Sequence, residues 1–284
     1  MNVSKKEVRG VEKAPVEIYQ TCQLQNPFLL ISWKSRDIGK LASKVIDFLI
    51  EKMGGQEIAK IKPLGFFSFG GVRFKEDLVQ APESQFWACE KNNLLIFRSD
   101  EPEFEHYQFL NTILELAEDH GQVKELYTLS GTISFTAHTH PRRILTVFNQ
   151  PELKERLRGY GLDGVTWEGP PAISSYLLWV AQRRGIPGVS LWPEIPFYLA
   201  GREDPQAMKL ILSFLNGRFN LDLDLGKLNL EIEDQNERIV QLRRENAEID
   251  QYINRLESGL KLDEEEQLKL VKEVYEILGK GSST

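Results

Sequence analysis

Long apolar runs, soft metal ligands and an excess of cations are all scarce in this sequence, and each scarcity excludes something. No window of about eighteen residues is free of charge, so a membrane-spanning helix is not expected. The opening MNVSKKEVRGVEKAP has no apolar core of the kind a secretory signal needs. Both readings point to a cytoplasmic protein with no membrane partner. Only Cys22 and Cys89 occur in 284 residues, in unrelated contexts, which fits two reduced thiols in a reducing compartment. The histidines number four, His106, His120, His138 and His140. His138-x-His140 could set two imidazoles on one strand face, but no Cys, Asp or Glu stands nearby to complete a metal shell; a loop pair before Pro141 is the expected role. A formal net charge of −7, with no clustered Lys and Arg, excludes general nucleic-acid binding.

Catalytic signatures are missing too. There is no Walker loop, no His-Glu-x-x-His and no G-x-S-x-G elbow. Residues 159–164, GYGLDG, match G-x-G-x-x-G, but a dinucleotide site needs a strand before the glycines and a helix after them. Here a short helix precedes them and Val165-Thr166-Trp167 reads as a strand, so helix termination and a turn explain the pattern. Gly70-Gly71 lacks a following helix N-terminus to hold a phosphate.

What is present is an alternation of strands and helices, with 41% hydrophobic and 27% charged residues, ordinary for a globular chain. The organising stretch is 167–205. Gly169-Pro170-Pro171 opens a helix carrying Ile173, Tyr176, Leu177 and Val180 at helical spacing; Gly185 ends it and Pro187 forbids its continuation. Residues 189–192 then read as a buried strand, stopped by Pro193 and Pro196. Upstream, a polar arm over 1–26 offers Val16, Ile18 and Tyr19 as an edge strand. Strands are predicted at 27–33, 56–61, 66–69, 72–74, 86–90, 94–98, 125–130 and 143–148, with helices at 37–53, 104–120, 151–158 and 205–217. Residues 27–61 form a β-α-β unit, for which a right-handed crossover is expected. The fold expected is an α/β three-layer sandwich with a mixed, mostly parallel sheet over residues 1–224.

Composition changes after that. From Leu225 the apolar residues step by three and four: Leu228, Ile232, Ile239, Leu242, Ile249, Ile253 and Leu256, with Gln235 and Asn246 as polar breaks. The spacing predicts a heptad seam, with Asn246 at a polar a position that fixes register. Ser258-Gly259 breaks the helix, and a second one over 263–278 is expected to fold back on the first. The region 225–284 therefore reads as a helical hairpin or coiled coil. Antiparallel pairing between protomers, with Asn246 opposite Gln235, is the alternative or an addition.

The residues also carry a resemblance. The segment Glu168-Gly169-Pro170 before a helix, GIPGVSLWPEIPFYL over 185–199, the Asp204-Pro205 step and the helix led by Ala207 resemble the bacterial and archaeal branch of the proteasome assembly chaperone two family. Weaker echoes lie in 37–42 (DIGKLA), in His138-Thr139-His140-Pro141 and in Leu221-Asp222-Leu223, so the likeness spans nearly the whole chain. It implies a fold similar to the phosphorylase/hydrolase-like one of nucleoside phosphorylases and a tendency to self-assemble, commonly as trimers; it supplies no reaction, and no cofactor is expected. The aromatic, Pro-rich 192–198 suits an interface core, though such residues are also ordinary core filler. Relatives that engage proteasomes end in a hydrophobic residue, a tyrosine and one more; Ser282-Ser283-Thr284 has none of this, so docking of that kind is not expected.

Ligands of open α/β sheets bind beyond the carboxyl ends of the strands. That rule collects Trp33, Lys34 and Arg36, then Arg98, Asp100 and Glu101, then Ser130 and Thr132, then Glu194. Such carboxylates and cations suit acid-base chemistry or an anionic ligand, or are solvated loop charges. Where the family has a glycine-rich turn after the first strand, this chain has Lys34-Ser35-Arg36-Asp37 and keeps only Gly39, which weakens a backbone cradle for phosphate. Three functions follow: a non-enzymatic interaction protein related to assembly chaperones; a ligand-binding or hydrolytic enzyme of phosphorylase-like fold; and an ATP-dependent ligase of the ATP-grasp class, for which no magnesium-binding carboxylate pair is apparent.

Overall fold

The structure, a computed structural model, describes residues 15–279 apart from 23, 36, 69–70 and 166–171. Expectations for Arg36, Gly169-Pro170-Pro171, most of the N-terminal arm and Ser282-Ser283-Thr284 lie outside the described residues.

In chain order the strands and helices are β1 (Val16–Ile18), β2 (Phe28–Trp33), α1 (Leu41–Met53), β3 (Gln56–Ile61), β4 (Arg73–Lys75), β5 (Leu78–Gln80), β6 (Ser84–Cys89), β7 (Leu94–Ser99), α2 (His106–Asp119), β8 (Glu125–Leu129), β9 (Thr132–Ser134), β10 (Ile144–Phe148), α3 (Pro151–Arg156), β11 (Leu162–Gly164), α4 (Ile173–Arg183), β12 (Gly188–Pro196), α5 (Pro205–Phe219), α6 (Gly226–Glu245), α7 (Ala247–Glu257) and α8 (Glu264–Gly279). Among the described residues, ten strands form one sheet in the order β1-β3-β6-β7-β2-β8-β12-β10-β11, with β9 beside β12. Its centre, β7, β2, β8 and β12, is parallel. The β6–β7 hairpin and the β12–β10 pair make it mixed.

β2 is buried along its whole length, because helices cover both faces of the sheet. Its alternate residues split between two cores. Phe28 and Leu30 join the apolar stripes of α1 and α5; Leu29, Ile31 and Trp33 join those of α2 and α4. The α4 helix ends where the sequence indicates, with Gly185 at φ +75° behind Arg184. β2 and β3 run the same way, but the β6–β7 hairpin lies between them, so α1 crosses two intervening strands.

Four expectations are corrected. Residues 66–69 do not begin a strand: Pro63 O accepts from the Phe66 and Phe67 amides, both at 3.1 Å, and Phe66 is buried edge-on to Phe109. β12 does not stop at Pro193. Glu194 N–H donates to Arg143 O on the β10 side (2.9 Å), so the position of the missing Pro193 N–H faces the other side. There β12 leaves β8 at Leu191 and meets β9 at Glu194, so no ladder bond is lost in the gap. The segment 192–198 is core more than surface: Pro193, Ile195 and Tyr198 are buried within the chain.

The fourth correction concerns the heptads. Asn246 does not occupy a helical a position. It has φ −135° and ψ 98°, and its side chain accepts from Glu248 N (3.2 Å) and Ile249 N (3.3 Å), so it caps α7 and divides the run into two helices. Gln235, opposite Asn246 in the alternative pairing between protomers, donates to Glu203 O of its own chain at 2.9 Å. Leu228, Ile239, Leu242, Ile249, Ile253 and Leu256 are buried and Ile232 is half-buried. The buried six share one cluster with Leu270 and Val274 of α8 and with Tyr198 and Leu199. α8 packs on α6, on α7 and on the turn at 197–199.

Candidate functional site

The carboxyl ends of β7, β2, β8 and β12 lie along one edge, and the residues expected there part company. Lys34 and Glu101 share a pair of loops: Lys34 N–H donates to Ser99 O (2.7 Å), and Ser35 Oγ accepts from Glu101 N–H (3.0 Å). Lys34 Nζ lies 3.6 Å from Glu83, and burial followed by the nearby Arg98 charge pulls its pKa down. Asp100 is buried beside them. Trp33 and Arg98 point to opposite faces of the sheet. Trp33 Nε1 donates to Ser174 Oγ of α4 at 3.1 Å; Arg98 pairs with Asp47 of α1 and lies 5.0 Å from the Trp87 ring. Ser130 N–H donates to Leu191 O (3.2 Å). Glu194 receives a two-bond grip from Arg143, Nε to Oε2 at 2.8 Å and Nη2 to Oε1 at 2.7 Å. Arg36 lies outside the described residues. The expected residues therefore do not form one pocket.

A cleft of about 800 Å³ opens at the same edge, on the α1 and α5 side. Its walls come from distant parts of the chain: the turn into α1, the loop from Ala200 to Asp204, α6 and α8. The turn into α1 is tight. Gly39 has φ +62°, its N–H donates to Ala200 O at 3.0 Å, and a Cβ there would stand 2.9 Å from Arg202 O. The exposed amides of a helix N-terminus are an anion site, and here the chain supplies the anion. Asp37 Oδ1 accepts from Ala42 N (2.9 Å) and Oδ2 from Ser43 N (2.8 Å).

Charges of both signs alternate around the cleft. Lys44 pairs with Glu203 at 2.8 Å and Arg238 with Asp234 at 2.9 Å. Arg202 stacks 3.8 Å from the Tyr275 ring centre and donates to Tyr275 O (3.0 Å), which joins the loop after β12 to α8. Such a lining makes no concentrated positive field for phosphate. Sequence spacing did not indicate this cleft, since α6 and α8 contribute side chains about two hundred positions from Asp37. No group of three or more His, Cys, Asp or Glu is placed to hold a metal among the described residues.

The His138 and Asp204 motifs turn out to be one buried assembly. Tyr198 OH accepts from His138 N–H (2.5 Å) and lies 2.8 Å from His138 Nδ1. Arg142 Nε donates to Asp204 Oδ2 (3.0 Å), with side chains only 3% and 0% exposed. Arg142 Nη1 also donates to the carbonyls of His138 (3.0 Å) and His140 (3.1 Å). Asp204 Oδ1 meanwhile caps α5 through Gln206 N and Ala207 N. Burial, helped by Arg142 and Arg243, pushes His138 down to about 4, and burial pushes the Tyr198 hydroxyl up. Both are therefore neutral at pH 7. Thr139 donates to Glu257 (3.0 Å), which Arg243 also holds (2.9 Å), so α7 grips this loop. A second buried network lies at the other end of β8, where Glu125 accepts from Tyr127, Arg156 and Arg218. Neither thiol is activated: burial raises Cys89 to about 11, and burial with Glu90 raises Cys22.

The assembly built from His138, Tyr198 and the Asp204-Pro205 step is where the sequence resemblance is concentrated, and residues 35–243 match the model of the PAC2 family. The chain belongs to that family. The match begins in the turn at Ser35 and ends within α6, so β1, β2, α7 and α8 lie beyond it. Solved PAC2-like structures share the fold at low identity. A proteasome-assembly chaperone homologue of Mycobacterium tuberculosis superposes with a TM-score of 0.69 at 18% identity, covering 80% of this chain and 99% of that one. A PAC2 family protein of Streptomyces avermitilis gives 0.67 at 20%, with the same coverage. Pyrococcus furiosus PbaB, an archaeal proteasome activator, gives 0.64 at 17%, covering 80% and 98%. Among curated proteins none matches.

Proposed function

We propose that this PAC2 protein is a non-enzymatic, self-assembling interaction protein of the assembly-chaperone kind. The carrying observation is the engagement of its strand-edge charges. Asp37 caps α1, Asp204 caps α5 and holds Arg142, Glu194 holds Arg143, and Glu203 holds Lys44. A general base or nucleophile needs a free, tuned group, and these are tied down. Its solved relatives include a proteasome-assembly chaperone homologue and a proteasome activator, which supports a protein as partner. No described helix is long and apolar enough to cross a membrane, and the net charge of −7 opposes nucleic-acid binding; the cytoplasm is the compartment proposed.

Self-association as a trimer is part of this reading. The C-terminal seam is buried within the chain, so the surface that supports assembly lies elsewhere. Phe135, 63% exposed and stacked on Phe197 at 5.6 Å, stands beside the exposed Ile133. The alternative, a ligand-binding or hydrolytic enzyme of phosphorylase-like fold, draws on the cleft, whose volume is in the range of small-molecule sites. Thermal unfolding with nucleosides, nucleotides and magnesium, run alongside light scattering, separates the two. The proposal expects a trimer mass and no shift across the panel. A ligand at a hundred times its Kd adds about 2.7 kcal/mol, and a shift of that size with one compound would establish the alternative.

A further inference from the structure

The C-terminal helix α8 is lightly embedded. Two of its 16 residues are buried, Leu270 and Val274, against seven of the 15 in α5. Val271 and Leu278 are half-buried beside them, while Leu268 is 65% exposed and Tyr275 49%. The helix packs on α6, α7 and the turn at 197–199, whose Leu199, Ile239, Ile249 and Ile253 share one apolar cluster with Leu270 and Val274. Three walls thus form an apolar groove that receives one narrow stripe of α8. Its other ties to the body lie at the surface. Arg255 of α7 pairs with Glu266, and Glu248 of α7 with Lys269, through side chains 19% to 46% exposed. Ion pairs so exposed contribute little to stability. At the far end Arg202 donates to Tyr275 O (3.0 Å) and stacks on the Tyr275 ring.

The start of α8, by contrast, is self-sufficient. Asp263 N–H donates to Glu266 Oε2 (2.8 Å) while Glu266 N–H donates to Asp263 Oδ1 (2.9 Å), a reciprocal capping box that needs nothing from the body. Glu264, Glu265 and Glu266 place negative charge at the positive end of the helix. Upstream, Gly259 at φ +73° and the exposed Leu260 make a short connection out of α7. A helix that caps itself, follows a glycine turn and buries one stripe can open as a unit. It also lies beyond the family match, which ends at residue 243, whereas Leu199 and Ile239 of the groove lie within it.

We infer that α8 is a displaceable cover on a helix-binding groove, and that the occupant which replaces it is an amphipathic helix of a partner protein. Charge complementarity specifies that helix: an acidic residue against Arg255, a cation three positions on against Glu248, and apolar residues four and eight positions on, as Glu266, Lys269, Leu270 and Val274 stand in α8. Arg202 then holds the carbonyl end of the incoming helix as it holds Tyr275. With α8 in place the partner's apparent affinity is reduced to the fraction of time the groove stands open, which makes the contact switchable. Such an occupant presupposes the protein partner proposed above, a reading that the ligand panel and the measured mass decide, whereas the experiment below reads the groove alone.

Hydrogen exchange in the full chain tests the displacement. Amides of α8 are expected to exchange about a hundredfold faster than those of α5, because they open without global unfolding. Arg202→Ala should speed α8 by a further factor of about three or more and leave α5 unchanged. The occupant is tested with a fluorescent peptide of residues 262–279 as the probe. It is expected to bind the full chain carrying Leu270→Asp and Val274→Asp, which frees α8, and to bind the parent about tenfold more weakly. A peptide with the same two substitutions should bind neither. Equal exchange of α8 and α5 overturns the inference, as does failure of the peptide to bind a doubly substituted chain whose α5 stays protected. If that chain unfolds, Arg202→Ala takes its place, with the same order of binding expected against the parent. A mass above the parent's in the Arg202→Ala protein, with α8 still protected, assigns the groove to the α8 of a second copy and overturns the partner helix.

Discussion

On one side of the sheet α1 and α5 are themselves covered by α6, α7 and α8, and the ion pair at its heart, Arg142 with Asp204, is almost sealed from water. On the other side α2 and α4 are the outermost layer among the described residues, with Tyr107 and Trp179 exposed and Trp179 stacked on the half-buried Tyr176. The covered side spends its polar groups on one another; the open side has rings and carboxylates that other chain can meet. Buried polar pairs therefore weigh on the stability of the covered side, while the open side keeps exposed aromatic rings. Substitutions on the two sides should differ accordingly.

The largest effect is expected from Arg142→Ala. It leaves the buried Asp204 carboxylate without its counter-ion and two carbonyls without their donor. Removing one partner of such a pair costs about 3–5 kcal/mol, to be read as a lowered urea midpoint. A loss below about 1 kcal/mol would mean that water reaches the site and that the two sides are alike.

Next comes the pH dependence of the same assembly. His138 has a folded pKa of about 4 against an ordinary value of 6.5, with burial as the main cause. Between those values the unfolded chain binds the extra proton, so stability rises with pH across the window and is lost as pH falls from about 6.5 towards 4. The amount is on the order of 3 kcal/mol over the whole window. Arg142, Arg243 and Glu257 face the ring, and His138→Gln keeps them while removing the titration. Urea midpoints at about pH 7 and about pH 5 should fall less in the variant than in the parent; equal slopes would refute the assignment.

Asn246 shows where reading the sequence succeeds and where it stops. Helical periodicity fixes the buried faces of α6, α7 and α8, because burial of one stripe is a local property of spacing. A polar residue at the expected heptad place is ambiguous, since asparagine suits both a buried a position and a helix N-cap, and the heptad reading makes Asn246→Leu stabilising. The structure reverses that sign: loss of the cap to Glu248 N and Ile249 N should destabilise by about 1 kcal/mol. Similar limits apply elsewhere. Asp204 before Pro205 is legible as a cap, yet its partner Arg142 is 62 positions away and no spacing rule joins them. The strand-end rule names Lys34, Arg98 and Glu194, but Arg98 lies within β7 and Glu194 within β12, and which face each side chain takes depends on the pairing of β2, β7 and β12, which separates them. The walls of the large cleft come from α6 and α8, whose position over α1 is a tertiary fact.

The smallest effect is expected on the open side, from Trp179→Ser. Trp179 stacks on Tyr176 and beneath Arg183, contacts worth about 0.5–1.5 kcal/mol for an aromatic pair and less where water already reaches the ring. The change removes no buried charge and opens no sealed cavity, so a stability loss of about 1 kcal/mol or less is expected in the same urea titration. A stability loss as large as that of Arg142→Ala would show that the α2 and α4 layer is part of a closed core, and the distinction between the two sides would fall with it.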